Sequence, residues 1–193
     1  MTINNYHLHT AEESSPTADF LWLVVLALAG LSGSLVLACI APFVALAVAL
    51  AGTVRLAAAL RAMTMIWLAN QFAGFAFYQF PRTPNTTFWG LAIGAAALLT
   101  TALTAKLLKR ANALPIFPRI ALGFVVAFAV YETGLFLAAL FLGGIETFSP
   151  AIIAKIGLVN LLWLIGFVGL NELVALLTRP WLRATPRRLT KLA

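Results

Sequence analysis

From residue 20 to residue 80 the chain is almost continuously apolar, and further apolar blocks follow to residue 177, separated only by short polar breaks. A run of that length exceeds what one soluble core helix requires, and 20–80 alone accommodates three membrane spans of about 20 residues each. Composition agrees: 62% of residues are hydrophobic and 10% charged, against roughly a quarter charged in soluble domains. Strands alternating apolar and polar residues are missing from the pattern, which argues against a β-barrel. The reading is an all-α, polytopic membrane bundle of about six transmembrane helices.

The spans are placed at about 20–39, 42–60, 62–80, 88–108, 120–142 and 152–177, within a transmembrane domain covering 20–178. The boundary between the first two is marked only by residues 39–42. A polar tail, 1–19, precedes this domain, and a basic, proline-broken tail, 179–193, follows it. The opening residues lack Lys and Arg and carry Glu12, Glu13 and Asp19, so they do not read as a signal peptide. His7 and His9 stand two apart with no further ligand nearby and read as tail residues.

Small residues recur four apart at Ala29, Gly33, Ala45, Ala49, Ala58 and Ala62, a spacing that lets helix backbones approach closely. In the fourth span Gly90, Gly94, Ala97, Thr101 and Thr104 form one narrow face, with Leu91, Leu98 and Leu99 largely off it. Orientation follows from the cations. With both termini cytoplasmic, only Arg82 and Lys155 of the thirteen Lys and Arg residues fall outside, leaving eleven inside. A net charge of +7 thus reports topology, not nucleic-acid binding. The 81–87 turn and the glycine-rich 143–150 loop then face outward together.

The stretch from Trp67 to Gly90 concentrates the informative residues. Asn70 and Gln71 interrupt the apolar run, Pro81 and Pro84 break the helix, and Tyr78 and Trp89 flank the turn. Adjacent residues on a helix point about 100° apart. Asn70 aligns with Gly74 and Tyr78 and is expected to line a cavity, whereas Gln71 aligns with Trp67 and Phe75 and is expected to pack. The remaining intramembrane polar groups are Glu132 in the fifth span and Asn160 in the sixth, the latter sharing a face with Trp163, Phe167 and Asn171. Intramembrane carboxylates often mark ligand, ion or proton paths; the alternative is a structural hydrogen bond to an amide.

No HExxH, Walker A, GxSxG or GxGxxG constellation is present, and both histidines lie in the tail. The chain therefore reads as neither an ATPase nor a hydrolase, with no cofactor or metal site expected. Any active transport requires energy from another protein or an ion gradient.

The small size, six expected spans, small-residue early helices and missing ATPase resemble the substrate-binding S component of energy-coupling-factor vitamin transporters, across about residues 20–178. The segment Asn70-Gln71-Phe72-Ala73-Gly74-Phe75, followed by Phe80-Pro81, is also similar to segments of small bacterial cobalamin-type S components. The resemblance implies vitamin binding from the outer face of a bacterial-type inner membrane. It also implies possible docking on an energy-coupling membrane subunit driven by ATPases. Cobalamin-type members use a cysteine near the outer site as a cobalt ligand; here the only cysteine, Cys39, falls at the expected turn between spans one and two. The vitamin is left open.

The expected function is thus uptake of a small organic ligand entering between the 81–87 and 143–150 loops. Asn70, Gln71, Tyr78, Asn85, Glu132 and Asn160 would supply polar contacts, and Trp67, Trp89 and Trp163 apolar walls. Two alternatives stand beside it. One is a non-transport assembly or scaffold subunit whose polar groups pair internally. The other is a proton-coupled carrier titrating Glu132, although no inverted repeat supports it.

Overall fold

A computed structural model describes residues 41–183 together with the helical positions Val24 and Leu26, and side chains through Val174. The described residues form helices α1 (Phe43–Thr53), α2 (Leu56–Ala76), α3 (Pro84–Arg110) and α4 (Ile116–Leu142), a short 3-10 turn (Ile145–Phe148) and α5 (Pro150–Arg183), with no strand among them. Three helices are long and apolar enough to cross a membrane: α3, α4 and the Pro150–Val174 part of α5. The all-helical membrane character expected from composition is therefore present. The first expected span, 20–39, lies outside the described residues except for Val24 and Leu26, and Leu26 is buried in the core.

The second expected span differs from its reading. A single helix over about 42–60 is replaced by an 11-residue helix, α1, ending at Thr53. At 1.5 Å per residue α1 is about 16 Å long, roughly half the hydrocarbon thickness. The break has a local cause. Gly52, Thr53 and Val54 are consecutive weak helix formers. The Thr53 hydroxyl donates to the Ala49 carbonyl at 2.7 Å, and Val54 turns extended at φ −131° and ψ 164°. Exposed Arg55 then begins the next helix. Consequently α2 starts at Leu56, six residues before the expected 62, and ends at Ala76 rather than 80.

Short as it is, α1 occupies the centre. Residues Phe43 through Leu50 are all buried, and α1 packs against α2, α3, α4 and α5. In hydrocarbon, van der Waals contact rather than water exclusion holds such helices together, and small residues permit it. Ala45, Ala47 and Ala49 supply that closeness on α1, with Ala58 and Ala62 of α2 packed on the same core. The C-terminal end of α1 meets Leu108: a Cβ built on Gly52 would stand 3.9 Å from that side chain. Its other end lies halfway along α4, where the Phe43 and Tyr131 rings are 6.2 Å apart. Thus α1 is a half-helix whose N-terminus sits inside the bundle.

Backbone ends at that depth need partners, because lipid supplies none. Asn160 on α5, 1% exposed, accepts a hydrogen bond from the Ala45 amide at 3.2 Å, while its Nδ2 donates to the Ile156 carbonyl at 3.0 Å. Beside Asn160, the face shared with Trp163 and Phe167 is inward: Phe167 is buried, Trp163 half-buried, and their rings lie 5.5 Å apart.

The small face of α3 is buried as its spacing indicates, with Gly90, Gly94, Ala97, Thr101 and Thr104 all inside and Leu91 and Leu99 exposed. The Trp67 ring fills the notch at Gly94, where an added Cβ would be 2.5 Å from it. At its far end α5 continues as helix beyond 177 to Arg183.

Candidate functional site

The α2–α3 connection shapes a pocket in which four of the expected residues gather. Helix α2 stops before Pro81, because Phe80 folds back onto Gly74. The Phe80 amide donates to the Gly74 carbonyl at 3.1 Å, and its ring occupies the space a Gly74 side chain would take. Gln79 adopts the left-handed φ of 51° that this reversal demands, a conformation uncommon for residues other than glycine. Phe80 also stacks on Tyr78, with centroids 6.2 Å apart, and meets Phe75 edge-on at 6.3 Å. The following helix is started by Thr83, whose Oγ1 accepts from the Thr86 amide at 3.2 Å, with Pro84 inside the first turn.

Between these elements lies a pocket of about 190 Å³ lined by Asn70, Gln71 and Gly74 from α2, Tyr78 and Phe80 from the turn, and Thr86, Trp89, Gly90 and Ile93 from α3. Two α2 side chains close on Gly90. The Gly90 carbonyl accepts the Trp67 indole N–H at 2.9 Å, and the Gln71 amide rests on the bare Cα, its Oε1 only 2.5 Å from where a Cβ would stand. Trp67 and Gln71, one turn apart on α2, therefore pack on Gly94 and Gly90, one turn apart on α3.

Of the nine residues expected to bind ligand, Asn70, Gln71, Tyr78 and Trp89 share this pocket. Trp67 stands behind its wall. Asn85 is exposed on the first turn of α3, Asn160 is engaged with α1, and Trp163 packs on Phe167. Glu132 lies elsewhere, in a separate cleft with Thr133, Phe136, Phe148 and Ile153. Asn70 lines the cavity as its spacing indicates; Gln71 does so too while also packing on Gly90. Gly74, Phe80, Thr86, Gly90 and Ile93 were not anticipated as lining residues. The small-residue spacing of Gly90 and the glycine gap between Asn70 and Tyr78 were their available signals. The 81–87 and 143–150 loops do share one end of the bundle: Trp89 comes within 3.6 Å of a Cβ built on Gly144, so it stands between the pocket and the glycine turn.

Chemically, the lining offers two carboxamides, each with donors and an acceptor, a phenol and a hydroxyl, set among aromatic rings. It contains no carboxylate or ammonium. Asn70 and Tyr78 both carry interactions of their own, so a ligand extends an existing polar arrangement. No group of three His, Cys, Asp or Glu side chains suited to a metal occurs among the described residues. His7, His9 and Cys39 lie outside them.

No family model, curated protein or solved structure matches the chain. The geometry of the site is therefore what a functional reading rests on.

Proposed function

We propose that this chain is an integral membrane uptake component for a compact organic molecule, bound in the pocket between α2 and α3. The observation that carries the reading is the convergence of Asn70, Gln71, Tyr78 and Trp89 around a glycine-relieved cavity at one end of a membrane bundle. Few polar groups placed among aromatic walls suit recognition of an uncharged, hydrogen-bonding heterocycle better than a bare ion. At about 190 Å³ the cavity falls below the roughly 300–1,000 Å³ typical of drug-sized ligands. A vitamin-sized single ring fits that space; a corrinoid requires a wider opening.

In this reading α2–α5 cross a bacterial-type inner membrane. Arg55 and Arg61 at the start of α2, the 106–119 cluster and the basic C-terminal tail lie on the cytoplasmic side. The pocket then opens outward, as in an S component, and a separate energy-coupling subunit with ATPases drives delivery. The half-helix α1 replaces one of the six expected crossings. The cytoplasmic placement of the N-terminus depends on residues before 41.

The test is purification in mild detergent followed by mass spectrometry of extracted small molecules. A stoichiometric organic ligand in the native protein that disappears in Asn70→Leu supports the reading. If no molecule co-purifies and no vitamin-sized heterocycle raises the melting temperature, transport gives way to an assembly role.

A further inference from the structure

We propose that Glu132 belongs to a second binding site, independent of the α2–α3 pocket, that receives an alkylammonium group. The cleft has about 260 Å³ and is lined by Glu132, Thr133 and Phe136 of α4, Phe148 of the 3-10 turn and Ile153 of α5. Glu132 Oε1 is buried there without a hydrogen-bond partner. A carboxylate oxygen held in an apolar site without a partner is costly, and a cation relieves it.

The lining selects the kind of cation. Calcium takes six to eight oxygen ligands and magnesium a near-octahedral set, whereas this cleft offers one carboxylate and the Thr133 hydroxyl. What it has instead is aromatic. The Phe136 and Phe148 rings stand edge to face, centroids 5.4 Å apart and 79° between planes. Ring faces attract ammonium groups, and alkyl substituents gain from the same apolar walls. A carboxylate in a cleft it shares with two phenylalanines suits an organic ammonium. The cleft borders the 3-10 turn, so it is reached from the end of the bundle that carries the α2–α3 pocket. Of the nearby ionisable groups, Tyr131 on α4 is buried beside Glu132, whereas Glu146 on the turn and Lys155 on α5 are both exposed. The ammonium can belong to a phosphatidylethanolamine headgroup or to a free amine.

The full chain in phosphatidylglycerol nanodiscs, titrated with ethylammonium and tetramethylammonium, tests this. Binding is expected to raise the melting temperature, with sodium at equal concentration having no such effect. Glu132→Gln should weaken binding at least tenfold and Phe148→Leu severalfold, while Glu146→Gln, which removes only an exposed charge, should leave it unchanged. In discs containing phosphatidylethanolamine, loss of the added-amine response identifies the lipid headgroup as occupant; a retained response identifies a free amine. As a second readout on the native chain, ethylammonium should protect Glu132 from dicyclohexylcarbodiimide, read by peptide mass spectrometry. No stabilisation by either amine in phosphatidylglycerol discs, equal binding by Glu132→Gln, or carbodiimide labelling unaffected by amine overturns the proposal.

Discussion

Asn160 caps α1 from 115 positions away: its Oδ1 accepts the Ala45 amide at 3.2 Å, at the buried N-terminus of the half-helix. Asn160→Leu removes that acceptor and strands a backbone donor where no water reaches. A loss of about 1–3 kcal/mol in folding stability is expected, read by denaturation of the full chain in detergent. Ligand affinity should not change. If affinity collapses while stability holds, Asn160 belongs to the ligand site instead.

Gly90 and Gly94 look equivalent by spacing but face different neighbours. A methyl at Gly94 meets the Trp67 ring at 2.5–2.9 Å, a rigid, half-buried group; Gly94→Ala should destabilise by about 1–3 kcal/mol through overpacking. At Gly90 the obstacle is the flexible end of Gln71. Gly90→Ala should therefore shift stability less and change ligand affinity more, because Gln71 is pushed into the pocket. Melting curves and binding isotherms of the two variants distinguish these outcomes.

Trp67→Phe keeps the ring on Gly94 and deletes the indole donor to the Gly90 carbonyl, a bond of 2.9 Å. A stability loss of about 1 kcal/mol is expected. Equal stability of this variant and the native chain would show that another group supplies the Gly90 carbonyl.

Asn70→Leu should lower ligand affinity tenfold or more, about 1.4 kcal/mol, with little effect on folding. Gln71→Leu should reduce both, since Gln71 lines the pocket and packs on Gly90. Equal loss of stability in both variants with no change in affinity would remove the two amides from the binding site.

Topology is open to labelling. In a Cys39→Ala background, single cysteines at Asn85 and Asn112, both exposed at opposite ends of α3, should react from opposite membrane faces, with Asn112 cytoplasmic. Labelling of both from one side would mean that α3 does not cross.

Hydropathy and residue spacing by themselves determined that this is a helical membrane chain, that α3 buries a glycine–threonine face, and that Asn70, Tyr78 and Trp89 meet near a turn. Those properties are local: chain solvation depends on composition over about 20 residues, and facing follows from helical pitch. Tertiary structure decided the rest. A continuous apolar run conceals whether a helix crosses or stops halfway, so α1 emerged only from its packing and from a cap supplied by α5. Glu132 and Asn160 looked like partners of Asn70 because all are polar groups in apolar spans. They point into three different places, since which helices become neighbours is settled by contacts between distant segments rather than by the period of any one of them.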